Sequence, residues 1–191
     1  MLFARVPGAL QAAAALGVTA LTGGAVWLLF HSGDAVALAA PAPVSASGQA
    51  ACAALTKAAP QTVDDEKRRR TDPVSPLTAA WGDPAITLRC GVPQPQILRP
   101  DSKDYDPTAE EAYLNGVAWL IEKLPGGGYR FTAAQRAVYI EVDVPSAYSP
   151  QTNALIDLSA AVIRSVARAD GKSGPDTAPA AGATSPTPSP R

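Results

Sequence analysis

Histidine is nearly missing from this chain of 191 residues, and the one copy is His31. That removes Ser-His-Asp and Cys-His catalysis from everything downstream, because both need an imidazole to take the nucleophile's proton. Cysteine is almost as scarce, with Cys52 and Cys90 the whole complement. Two thiolates without an imidazole cannot complete a tetrahedral zinc site, so no metal or cofactor is expected. A basic excess is lacking too. Sixteen Lys and Arg stand against seventeen Asp and Glu, for a net charge of −1, whereas nucleic-acid-binding domains usually carry a basic surplus. The glycine triplet at 126–128 lacks the lysine and hydroxyl residue of a phosphate loop. Asp101, Asp104, Asp106, Glu110 and Glu111 lack the glycine and glutamate placement of an EF-hand and read as a solvated acidic loop.

What the chain does have begins at its amino terminus. Residues 6–30 carry no charged side chain. As a helix they would span about 37 Å, enough for a hydrocarbon core of about 30 Å. Arg5 precedes the run and Asp34 follows it, which places the amino terminus inside and the rest of the chain outside. Segment 1–31 is therefore expected to be a single-pass anchor in the cell membrane, with His31 at its edge. The alternative is a signal peptide cleaved after Ala37, Leu38 and Ala39, leaving a secreted protein that begins at Ala40. The apolar run is longer than the usual signal core of about 7–15 residues.

Residues 32–49 are mostly Ala, Pro, Ser and Gly and read as a flexible linker. A domain is expected over 50–170, followed by a disordered Pro, Ser, Thr and Ala tail over 171–191. Within the domain, Cys52, Leu55, Thr56 and Ala59 recur at helical spacing and Pro60 ends the pattern. Ile86, Thr87 and Leu88 form a short β-type run leading to Cys90. Residues 114–124 read as a strand with Val117, Trp119 and Ile121 on one face, the glycine triplet as a hairpin turn, and 129–132 as the returning strand. Val138, Ile140, Val142 and Val144 alternate with Tyr139, Glu141 and Asp143, as in a half-buried antiparallel strand. Ser149 can cap a helix with Pro150 at its first position. That helix is expected to run to about Arg168 on a stripe of Leu155, Leu158, Val162 and Val166.

These elements predict an α+β fold, with a small antiparallel sheet of three to five strands and an early and a late helix packed on one face. Two cysteines outside the membrane are most simply paired, so a Cys52–Cys90 disulfide is expected. Lys67, Arg68, Arg69 and Arg70 form a run able to bind anions by charge-assisted hydrogen bonds. Asp64, Asp65 and Glu66 just before them allow the plainer reading of a self-neutralised, solvated loop. Trp81 and Trp119 either line a groove or belong to the core. Asp83, Glu110, Glu111 and Glu141 are the carboxylates a glycosidase-type site would draw on, although their spacing singles out no pair.

The segments CAALTKAAPQTV, KRRRTDPVSPLTAAWGDPAITLRCGVP, LNGVAWL and NALIDLSAAV follow one another across roughly residues 50–168. Together they resemble an actinobacterial family of secreted or single-pass envelope proteins catalogued as a domain of unknown function. The resemblance includes both cysteines and implies no catalytic residues. The expected function is a non-enzymatic envelope domain that binds a partner protein or an anionic wall polymer or lipid. A small carboxylate-dependent cell-wall hydrolase and an accessory subunit of a membrane protein are the alternatives.

Overall fold

The apolar positions along the chain sort onto one face of a sheet and two helical stripes, and these dictate the layering. The structure, a computed structural model, describes residues 35–42 and 44–177. The expected anchor at 6–30, His31 and the tail beyond 177 lie outside the described residues. Among the described residues, no helix is long and apolar enough to cross a membrane.

The elements run β1 (Val36–Ala37), α1 (Ala46–Ala58), β2 (Thr62–Val63), β3 (Glu66–Arg69), β4 (Thr71–Asp72), β5 (Thr78–Trp81) and β6 (Ile86–Val92). After a long excursion come β7 (Glu111–Leu114), β8 (Val117–Lys123), β9 (Tyr129–Ala133), β10 (Tyr139–Val144) and α2 (Thr152–Ser165). Eight strands form one sheet in the order β2-β3-β5-β6-β10-β9-β8-β7, and β1 pairs with β4 in a separate parallel ribbon. Every neighbouring pair in the large sheet is antiparallel.

The α+β class holds, but the sheet has eight strands rather than three to five. Two local features account for the difference. Residues 114–124 are not one strand, because Asn115 (φ 44°) and Gly116 (φ 85°) turn the chain between β7 and β8. An Asn-Gly pair is the strongest short hairpin signal a sequence offers. Asp64 and Asp65, both at positive φ, make a second two-residue turn, so the basic run after them is strand β3 and not a loop.

Register explains the layering. Side chains from Trp81, Leu88, Cys90, Ile140, Val142, Phe131 and Trp119 share one face and are buried in a single core with the two helices. From α1, Cys52 and Leu55 face this core, and from α2 Ala154, Leu155, Leu158, Ala161 and Val162 do. The stripe of α2 is the one its period-3.6 spacing specifies. Its ends differ from expectation: Ser149 does not cap it, and the chain leaves the helix at Val166. The reason lies beyond the helix, where Ala167 and Ala169 bond across to Ala137 and Gln135 instead of continuing the turn.

Cys52 and Cys90 form a disulfide with Cα atoms 5.4 Å apart, both side chains fully buried. It ties the middle of α1 to a central strand. Gly91, the next residue, sits at φ 89° in a bulge of β6 opposite the step from Tyr139 to Ile140. A Cβ there would stand 3.2 Å from a Val44 methyl and 3.7 Å from the Cys52 sulfur. Glycine is required both for the backbone angle and for the close approach of the chain entering α1.

Both segments expected to lack order carry structure where they are described. In 32–49, Val36 N–H donates to the Arg70 carbonyl, and Ser45 caps α1 by accepting from Gly48 N–H. Beyond Gly171 the chain turns back, and Asp176 is buried. The cause is a vacancy in hydrogen bonding along β8. Strand β9 ends at Ala133 opposite Trp119, which leaves Ala118 N–H and Gly116 C=O without a strand partner. Asp176 answers both: its Oδ2 accepts from Ala118 N–H (2.9 Å) and its own N–H donates to Gly116 C=O (2.7 Å). Its carboxylate also lies 3.0 Å from Arg136 Nη2, an ion pair with both side chains fully buried. Arg136 Nη1 in turn donates to the carbonyls of Val166 and Gly174.

An ion pair withdrawn from water gains little net stability, but breaking it leaves an uncompensated charge. Arg136→Met should therefore lower the unfolding free energy by about 3–5 kcal/mol in urea titrations. Asp176→Asn, which retains an acceptor for Ala118, should cost less. Equal stability of both variants and the parent would mean that residues 174–177 merely lie on the surface.

Candidate functional site

Strand β3 presents its cations on alternate faces, so Lys67, Arg68, Arg69 and Arg70 do not act as one group. Arg68 lies on the helix side, paired in register with Trp81. Its Nη2 donates to the Thr56 carbonyl (2.7 Å) and Nη1 to the Ala59 carbonyl (3.1 Å), while the guanidinium rests 5.4 Å from the Trp81 ring centroid. It thus closes the carboxyl end of α1, where unsatisfied carbonyls favour a cation. Burial pushes its pKa down from the ordinary guanidinium value. Arg69 is on the opposite face, donating to the Gly82 carbonyl (2.8 Å) and standing 3.6 Å from Asp83. Lys67 and Arg70 are exposed. Of the four cations expected to bind anions, Lys67 and Arg70 are solvent-facing, whereas Arg68 and Arg69 are engaged in holding the fold.

The tryptophans are core residues, not groove walls. Trp81 and Trp119 are both at 0% exposure. Trp81 Nε1–H donates to the Pro60 carbonyl (3.0 Å), which fixes the chain leaving α1. Trp119 Nε1 has no hydrogen-bond partner among the described residues.

A connected set of paired charges lies on the sheet face turned away from the helices. Arg89 donates through Nε (2.8 Å) and Nη2 to Glu141 Oε1. Arg130 Nε lies 3.1 Å from Glu141 Oε2, and the same guanidinium grips Asp143 through two 2.8 Å bonds. Glu122 stands opposite Arg130 in register. The lattice Arg89, Glu141, Arg130, Asp143 thus crosses β6, β10 and β9 at mid-sheet. This face is not uniformly wet, since Ala118, Leu120 and Thr132 on it are buried. The bidentate Asp143 contact raises the pKa of Arg130 above its ordinary value. Burial pushes the Glu122 carboxyl up, and Glu141 and Asp143 push the same way against the pull of Arg130. The sequence shows Glu141 and Asp143 facing outward, but their arginine partners depend on register that alternation alone does not give.

The carboxylates offered as a hydrolytic set do not converge. Asp83 is on the turn between β5 and β6, Glu110 and Glu111 are exposed at the far edge, and Glu141 is buried mid-sheet. Glu111 is separated from Glu141 through Leu120 and Thr132. Three strand steps of about 4.8 Å set the two carboxylates about 14 Å apart, beyond the roughly 5–9.5 Å of glycosidase pairs. A small cleft of about 210 Å³ is lined by Asp64, Asp65, Asn153, Ile156 and Asp157. Its acids are used to fasten the β2–β3 turn to α2: Asp64 N–H donates to Asp157 Oδ2 (2.8 Å) and Asn153 Nδ2 to Asp64 Oδ1 (3.1 Å). Among the described residues no group of three or more His, Cys, Asp or Glu is arranged to hold a metal ion.

The chain belongs to the family of proteins of unknown function DUF3515, whose model matches residues 10–170. Comparison with curated proteins and with solved structures gave no match in either case.

One pH dependence follows from the charged face. The raised Glu122 value means that the folded state favours its protonated form. That stability is fully present below the unfolded value of about 4.3 and is lost as pH rises through the folded value. Glu122→Gln should therefore melt with the parent at pH below about 4 and above it at pH 7. A variant less stable than the parent at neutral pH would show that attraction to Arg130 outweighs desolvation.

Proposed function

We propose that this family member is an extracytoplasmic domain held on a single membrane-spanning segment, residues 6–30, with its amino terminus inside. On this reading it binds a partner protein of the envelope, or an anionic wall or lipid component, and performs no catalysis. The observation that carries the reading is the Cys52–Cys90 disulfide, fully buried at the junction of α1 and β6. Disulfides persist in oxidising compartments and are rare in the cytosol. The charge-free run with Arg5 on its amino-terminal side supplies the orientation.

Binding is favoured over hydrolysis by how the carboxylates are used. Glu141 has both oxygens engaged by arginines, and Glu111 lies about 14 Å away across three strands. A general acid and its partner need to flank one scissile bond. The charged face is self-satisfied, which suits a rigid scaffold that presents edges and loops to a partner.

The test is made on intact cells producing the full chain, treated with a membrane-impermeant crosslinker. The expected outcome is a discrete crosslinked species containing a second envelope component, together with native protein whose amino-terminal sequence precedes Ala40. A domain that outside reagents cannot reach would overturn the extracytoplasmic reading. An amino terminus at Ala40 would remove the anchor and leave a secreted protein.

A further inference from the structure

We propose that the corner of the domain carrying Arg70 and Val74 docks on the anionic lipid headgroups of the membrane that holds the chain. The inference rests on residues 6–30 being the anchor and adds which face meets the lipid. Three observations on different levels converge on this corner.

The first is chain length. Five residues separate Phe30, the last of the charge-free run, from Val36. Six Cα steps reach at most about 20 Å. At Val36 the chain is already fixed, because Val36 N–H donates to the Arg70 carbonyl (2.9 Å) and Leu38 N–H to the Asp72 carbonyl (2.9 Å). A free linker through residue 49 would have let any face approach the membrane. The β1–β4 pairing instead fastens residues 70–72 to the point at which the chain enters the domain.

The second observation is charge. Residues 67–74 include four basic side chains and one acidic, Asp72. Arg68 is turned into the fold, whereas Arg70 and Lys67 are exposed. Exposed cations held near an anionic surface each strengthen the association about fivefold. The third is Val74. It is 88% exposed, against 43% for the next most exposed large hydrophobics, Tyr105 and Ile156. A single exposed valine would mean little alone. This one stands four residues from Arg70, on the loop from β4 to β5, at the end of the domain where the tether enters. An exposed cation, Arg70, and a bare apolar side chain, Val74, on one short segment match a headgroup layer better than open water.

Full-length protein reconstituted into vesicles of phosphatidylcholine, with or without phosphatidylglycerol, tests this by flotation and backbone hydrogen exchange. The expected result is that the chain floats with both vesicles, while amides at 70–75 exchange more slowly only where phosphatidylglycerol is present. Arg70→Glu and Val74→Asp should each cut that protection about fivefold or more, and added salt should erase it. Melting temperatures should stay those of the parent, because both side chains are exposed. Flotation with both vesicles and equal exchange would overturn the docking while leaving the anchor intact. Flotation only with phosphatidylglycerol would remove the anchor yet support the lipid-binding corner. Flotation with neither would overturn both. Protection produced by isolated anionic wall polymer, and not by vesicles, would assign the corner to the polymer and overturn the lipid proposal.

Discussion

The covalent bond between Cys52 and Cys90 is the constraint on which the packing of α1 depends. It closes a loop with a sequence separation of 38, for which the chain-entropy estimate is about 4 kcal/mol. That is a large share of the roughly 5–15 kcal/mol by which a domain is stable. Around it the other ties of α1 are individually weaker. Thr56 donates to the Pro76 carbonyl, Trp81 to Pro60, and Arg68 to Thr56 and Ala59. Each such hydrogen bond contributes about 0.5–1.5 kcal/mol, somewhat more where the donor is charged. All of them presuppose that α1 already lies across β5 and β6, which the disulfide secures. Gly91 belongs to the same arrangement, since its φ of 89° strains any other residue and a Cβ there would press on Val44, at the entry to α1.

With the helices confined to one face, the other face of the eight strands must satisfy itself. It does so with the crossed arginines and carboxylates of β6, β9 and β10 rather than with a second apolar layer. Such pairs, about one-quarter to one-third exposed at Arg89, Arg130 and Asp143, hold a face rigid more than they add stability. The carboxyl-terminal segment performs a related task at the edge. Asp176 supplies the acceptor and donor that a longer β9 would have given to Ala118 and Gly116. Much of the charge in this domain is thus consumed by its own architecture.

Features written in local spacing were legible from the sequence. The stripes of α1 and α2 and the alternation of β10 follow from period, and a chain with two cysteines offers one possible intramolecular pair. Features that depend on who stands opposite whom were not. Strand β3 was hidden because four cations in a row resemble a solvated loop, and only the positive-φ turn at Asp64 and Asp65 reveals the hairpin. The split between β7 and β8 had a readable signal in Asn115-Gly116, masked by the continuous apolar pattern around it. The buried pair of Arg136 and Asp176 joins residues 40 positions apart through a segment whose composition suggests disorder. Nothing local in Gly, Pro, Asp and Thr announces that one carboxylate completes a sheet. Among the candidate site residues, both cysteines met their expected role, whereas Trp81, Trp119 and Arg68 proved to be parts of the core and its rim.

The account is tested most directly by urea unfolding of the disulfide-bonded protein beside its Cys52→Ser, Cys90→Ser double variant. If the bond anchors α1 to β6, the variant should be less stable by about 4 kcal/mol, and Thr56 and Arg68 should lose their protection from solvent first. Equal stability of the two proteins, or two free thiols in the native protein under non-reducing conditions, would contradict it.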